Sequence, residues 1–177
     1  PALVDRLLDA DDQVRITAIH WYSVDRDYGY NGDCDFIVVS QEPRRGGPDQ
    51  VIVSQSLTVS SREATGQKVG ELPVYLYAAD IDSLQLDAGE YWVGVRAVQD
   101  GTGRAYWATA VFDEWEAYWR SDFFGEPDWV PVSKILRTEL SFAMCLSGVV
   151  GACTNDVRGD ANCDRSVDFS DIDCFVA

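Results

Sequence analysis

The residues best spaced for chemistry lie near the end of the chain. From Asp160 the sequence reads DANCDRSVDFSD. Oxygen-bearing side chains fall at positions one, three, five, seven, nine and twelve of that run: Asp160, Asn162, Asp164, Ser166, Asp168 and Asp171. A calcium ion takes roughly six to eight hard oxygens at about 2.3–2.6 Å, and a loop with ligands at those positions supplies them; position seven offers its backbone carbonyl and position nine often acts through a water. The four carboxylates repel one another unless a cation lies between them. Ca²⁺ is therefore the cofactor that the spacing predicts. Two positions depart from the pattern. Arg165 stands at position six, where glycine usually makes the sharp turn, and an arginine held left-handed there costs about 1 kcal/mol. Asp171 closes the loop where the longer glutamate is usual.

A second group of residues suits recognition rather than metal. Trp115, Tyr118, Trp119 and Trp129 crowd one acidic stretch, DEWEAYWRSDFFGEPDWVP (113–131), close to Tyr106 and Trp107. Exposed, they would form a stacking platform for sugar rings; packed, they belong to a core or a protein interface, where such residues are enriched. Core or interface is the favoured reading. Asp27, Asn31, Asp33 and Asp35 gather around two glycines, but their spacing fits no cation loop and reads as a polar turn. Glu114 and Glu116 could imitate the carboxylate pair of a glycosidase, yet a chain with 30 acids yields such pairs anywhere. The single histidine, His20, is the only base available to a serine triad, and it sits in a strand pattern as a structural residue. With no catalytic constellation legible, a non-catalytic protein is expected.

Five cysteines are present. Cys34 stands alone; Cys145, Cys153, Cys163 and Cys174 cluster toward the end. No CxxC pair or second histidine supports zinc. Clustered cysteines in an acidic chain fit disulfides in an exported protein. Three pairings are open. Cys145–Cys153 with Cys163–Cys174 is favoured, leaving Cys34 free or bonded to another chain; the alternative keeps all five reduced.

The whole composition narrows the partners. Fourteen basic residues against 30 acidic ones give −16. That balance excludes a duplex nucleic-acid binder, which needs a basic face. No apolar run approaches the roughly 20 residues of a membrane span. Hydrophobic residues at 46% and charged ones at 25% describe a globular chain with a real core.

The elements that must hold these residues read as strands. Val14, Ile16, Ala18, His20 and Tyr22 alternate with Arg15, Thr17, Ile19 and Trp21. FIVVSQ (36–41), QVIVSQSLTVSS (50–61), PVYLYAAD (73–80), AGEYWVGVRAVQ (88–99), AYWATAVF (105–112) and TELSFAMCLSG (138–148) continue the series, separated by Gly/Pro turns. Short strands with almost no helical period predict a mainly β fold, an antiparallel jelly-roll-like β-sandwich. LVDRLL (3–8) has helical spacing and suggests a short helix or a docking arm. Residues 113–131 suggest a long decorated loop, or a short helix and turn. The expected organisation is an arm (1–13), a sandwich (14–148), a linker (149–159) and a calcium repeat (160–177).

The segment RGDANCDRSVDFSDIDCFVA (158–177) resembles a type I dockerin-like repeat. In that family a calcium loop precedes a helix, with aspartate at the twelfth position, and paired repeats bind a cohesin. One repeat is present here, so the paired interface does not carry over. The same string is similar to single repeats that end exported bacterial surface proteins. "ITAIHWY", "LDAGEYWVGV", "RAYWAT" and "LSFAMCLSG" are similar to a β-sandwich module found ahead of such repeats. The resemblance implies a sandwich fold and a secreted or cell-surface location. Self-association into a filament or surface layer, or attachment to another surface protein, is the expected partnership; a polysaccharide on the aromatic stretch is the alternative.

Overall fold

Alternating apolar residues commit this chain to strands, and the strands sort into two facing sheets. The structure, a computed structural model, describes residues 2–10, 13–25, 33–42, 47–98, 105–110 and 116–150. Its strands are β1 (Ala2–Ala10), β2 (Val14–Asp25), β3 (Asp33–Gln41), β4 (Pro48–Thr58), β5 (Ser61–Val69), β6 (Leu72–Leu86), β7 (Gly89–Ala97), β8 (Ala105–Trp107), β9 (Thr109–Ala110), β10 (Tyr118–Ser121), β11 (Glu126–Pro131), β12 (Ser141–Phe142) and β13 (Met144–Val150). A 3-10 turn at Asp122–Phe124 and one short helix, α1 (Ser133–Leu136), complete the described elements.

The first sheet runs β11-β10-β1-β7-β3-β4. The second runs β13-β2-β6-β5, with β8 also on β2, and β9 and β12 form a small separate pair. Every ladder is antiparallel. Phe36, Val38, Val93 and Val95 from one sheet meet Ile16, Ile19, Trp21, Tyr77 and Ala79 from the other. This is the mainly β, antiparallel sandwich that the alternation predicts.

Three local expectations are corrected. Residues 3–8 form no helix; they dock on the chain's own first sheet. They lie in β1, which pairs through residues 2–4 with β10 and through residues 5–10 with β7. The stretch 113–131 is not one long loop: residues 118–131 make a β10–β11 hairpin around the 3-10 turn. Tyr118, Trp119, Trp129 and Val130 are residue types that favour strands, and the surrounding acids and prolines hid them. The faces of β2 also differ from simple alternation. Its register slips between Ile16 and Ala18 against both neighbours. The extra residue, Thr17, turns the phase over, so Val14 and Ile16 are followed into the core by Ile19 and Trp21. His20 and Tyr22 are left half-buried on the outer face.

The same slip explains Gly148. A Cβ on that residue would lie 2.3 Å from the Arg15 carbonyl oxygen, a backbone atom that cannot swing aside. Gly148→Ala is expected to cost about 1–3 kcal/mol, the range for overpacking, read as a lower thermal midpoint. An unchanged midpoint would show that the β2–β13 slip is not as described.

Candidate functional site

The sequence-predicted site residues divide sharply. Asp160, Asn162, Asp164, Ser166, Asp168 and Asp171 lie outside the described residues, as do Trp115, Cys153, Cys163, Cys174, Asp27 and Asn31. Among the described residues no group of three metal-ligating side chains comes together. Cys145 is half-buried on β13, opposite His20 of β2.

Tyr118, Trp119 and Trp129 do not share one platform. Strand alternation sets Tyr118 and Trp119 on opposite faces of β10. Trp119 packs toward Phe124, with ring centroids 5.7 Å apart. Tyr118 and Trp129 join a second apolar cluster with Ile37, Val39, Val51 and Trp92. Ile37, Val39 and Trp92 come from β3 and β7, whose alternate residues Phe36, Val38, Val93 and Val95 form the inter-sheet core. This cluster therefore sits on the outer face of the first sheet. Trp92 is only 1% exposed and meets Tyr118 edge to face at 5.0 Å. The Arg120 guanidinium stands 4.6 Å from the centre of the Trp129 ring.

The polar atoms of this face are incompletely paired. The indole N–H groups of Trp92 and Trp129 are buried without an acceptor, and the Gln41 Oε1 atom is buried without a donor. An unmet buried donor or acceptor costs about 1–3 kcal/mol. Gln41, Trp92 and Arg120 were not singled out by sequence reasoning. Trp92 carried a usable signal, because it falls between the core-facing residues Tyr91 and Val93 and must point the other way.

The acids near β3 are engaged in structure. Ser56 Oγ donates to Asp35 Oδ1 at 2.7 Å, and Arg96 Nε donates to Asp35 Oδ2 at 3.0 Å. Burial alone would raise the Asp35 carboxyl, but the Arg96 and Ser56 hydrogen bonds and the Arg96 charge outweigh it and hold it below its ordinary 3.8. A depressed folded value contributes stability above the unfolded one, lost as pH falls through the folded value. Asp35→Asn is therefore expected to flatten the fall in melting temperature below about pH 4. An acid limb as steep as the native protein's would refute this. Glu116, once a possible catalytic partner, accepts the backbone N–H of Ser133 at the start of α1.

His20 Nε2 and Ser147 Oγ are 3.3 Å apart across β2 and β13, and among the described residues no carboxylate hydrogen-bonds that histidine. Asp33, Cys34, Ser56, Leu57, Thr58 and Val98 line a depression of about 330 Å³. Cys34 itself is 0% exposed and is a free thiol. Burial, then the charges of Asp35 and Asp33, push its thiol up from 9.0 to about 12. The thiolate is the reactive form, so alkylation at pH 8 is expected to be slower by about a thousandfold than for an ordinary thiol. It should become fast in denaturant; equal rates in both states would contradict the burial. No protein-family model matches the chain, and no curated protein or solved structure is similar to it.

Proposed function

We propose that this chain is a non-catalytic, calcium-binding structural or adhesive module of an exported protein, and that it serves as the protomer of a filament or surface layer. One observation carries the reading: the oxygen side chains of Asp160, Asn162, Asp164, Ser166, Asp168 and Asp171, at the spacing a calcium loop requires. The rest of the chain supports it. The repeat follows β13, the last strand of the second sheet, after residues 151–159. A cation there would lock an acidic segment against its own sandwich or against a neighbouring protomer. Extracellular modules bind calcium at roughly 10⁻⁴–10⁻³ M, which suits a loop with one arginine and a short closing carboxylate.

The test uses the full chain. Particle size is measured by light scattering and negative-stain microscopy, with calcium and then with chelator. Ordered assemblies that dissolve on chelation, and that fail to form in Asp160→Ala/Asp171→Ala, are the expected result. Polymers unchanged by that pair of substitutions would sink the proposal.

A second reading, binding of a polysaccharide, rests on the partly exposed Tyr118 and Trp129 rings on the outer face of the first sheet. It predicts that Trp129→Ala, which also gives up packing against Ile37, Val39 and Trp92, loses affinity for a glycan while the fold is kept. Equal retention of that affinity would dismiss it.

A further inference from the structure

Cys145 stands in a strand whose course limits what it can reach. Met144 and Leu146, on either side of it, pack against the inter-sheet core. Strand alternation therefore turns Cys145 to the outer face of the second sheet, half-buried opposite His20. Cys34 lies in the core between the sheets, so these two cysteines do not meet. Cys153, Cys163 and Cys174 are the other cysteines of the chain. β13 pairs with β2 at every residue from Met144 to Val150. The extra residue of the slip, Thr17, belongs to β2, so β13 itself runs on unbroken. Thr17 Oγ1 donates to the Ser147 carbonyl at 3.2 Å and ties the strand at its middle. At about 3.3 Å per residue, Val150 lies about 17 Å along the strand from Cys145. A disulfide holds its two Cα atoms about 4.4–6.8 Å apart. Cys153 is three residues beyond Val150, a reach of at most about 11 Å. It would come within range only if the chain reversed at Val150 without a turn and ran back fully extended. The tightest common hairpin spends two residues on its turn, which sets Cys153 opposite Val150 and leaves it about 17 Å from Cys145. Cys163 and Cys174 are 13 and 24 residues beyond Val150, enough chain to turn and come back.

We infer that Cys145 is bonded to Cys163 or Cys174, and Cys153 to the other of the two, so that the acidic repeat is fastened covalently to the outer face of the second sheet. The Cys145–Cys153 pairing, which nearness in sequence favours, is replaced because an extended β13 carries the two apart. Two bridges use four of the five cysteines and leave Cys34, buried in the core, as the one free thiol. Each bridge forms by exchange. Two thiols give up two protons and two electrons to a small-molecule disulfide, which leaves as two thiols. The inference rests on the exported-module reading above for an oxidising compartment. Loss of calcium would then loosen the repeat without releasing it.

Peptide mapping of the full chain tests it. The reduced chain is refolded with calcium in a mixture of reduced and oxidised glutathione. Remaining thiols are alkylated in denaturant, and the chain is cut with trypsin without reduction. Cleavage after Arg137, Arg158 and Arg165 gives residues 138–158 with Cys145 and Cys153, residues 159–165 with Cys163, and residues 166–177 with Cys174. The expected result is one mass that holds all three peptides, with alkylation at Cys34 alone. Further cleavage after Leu146 shows whether Cys163 or Cys174 holds Cys145, and either supports the inference. A free 138–158 peptide beside a linked pair of the other two is the Cys145–Cys153 pairing and overturns it. A map in which Cys145 is alkylated, or bridged to a second copy, overturns it as well. Five alkylated cysteines in a chain that assembles with calcium would defeat this inference and leave the calcium reading standing, because the ligands of that loop are oxygens. The three-peptide mass from a chain whose assembly ignores calcium would do the reverse.

Discussion

Trp21→Ala is expected to lower the free energy of unfolding by about 3–5 kcal/mol, read as a lower denaturant midpoint at unchanged slope. Trp21 is 3% exposed and lies between the sheets. Its ring stacks on Tyr77 at 5.4 Å with an interplanar angle of 13°, and it leans on Trp107 at 6.4 Å. Tyr77 cannot collapse into the space left behind. Its hydroxyl is held by Arg62 Nε at 2.7 Å, and the Arg62 guanidinium lies 3.5 Å from the centre of the Tyr75 ring. A cavity that its walls cannot fill gives the upper part of the range. Domains keep only about 5–15 kcal/mol in total, so the variant would sit near its unfolding transition. Leu136→Ala, at a position 56% exposed, should change stability by about 0.5 kcal/mol or less. Equal losses for the two variants would mean that the inter-sheet core is not built around Trp21.

Removal of residues 1–10 is expected to have the next largest effect, and a local one. β1 has three register partners on β10 and five on β7, and it is the hydrogen-bonded link between the β10–β11 hairpin and the rest of the first sheet. Each ladder bond is worth about 1 kcal/mol net, so several kcal/mol are lost together. Amide exchange should show β10 and β11 stripped of protection while β2, β6 and β13 keep theirs. Uniform loss across both sheets would show that β1 supports the whole fold, not one flank. Uniform retention would show that the hairpin is held by side chains alone.

The fold class was legible because period-two alternation survives in β4 and β7, and because β3 and β6 hold short apolar runs bounded by turn signals. Less visible was where the alternation changes phase. Nothing in the types of Ile16, Thr17 and Ala18 announces the slip that sends Ile19 and Trp21 inward. β1 was hidden by the spacing of its leucines, which satisfies a helix as well as a strand, and the pairing of distant strands decided the matter. β5 was missed because its residues are nearly all exposed, leaving no apolar face to read. Of the recognition residues, Tyr118 and Trp129 were visible by type. The cluster they join was not, because Ile37, Val39 and Trp92 arrive from strands far away in sequence. The oxygen spacing of residues 160–171 is legible without any structure, since it depends on chain-local geometry alone.

The pairing of Ala2 with Arg120 and of Val14 with Val150 has a consequence for how the molecule comes into being. Each sheet joins the opening strands to strands near the end of the described chain. During synthesis the first two strands therefore emerge long before their partners exist, and neither sheet can be finished from the first half alone. Contacts this distant slow folding, because the loop must close before any pairing rewards it. A fragment ending before β10 would lack one flank of each sheet, and its unpaired strands would be open to aggregation. The two sheets thus reach their final order only after residues 116–150 have been made.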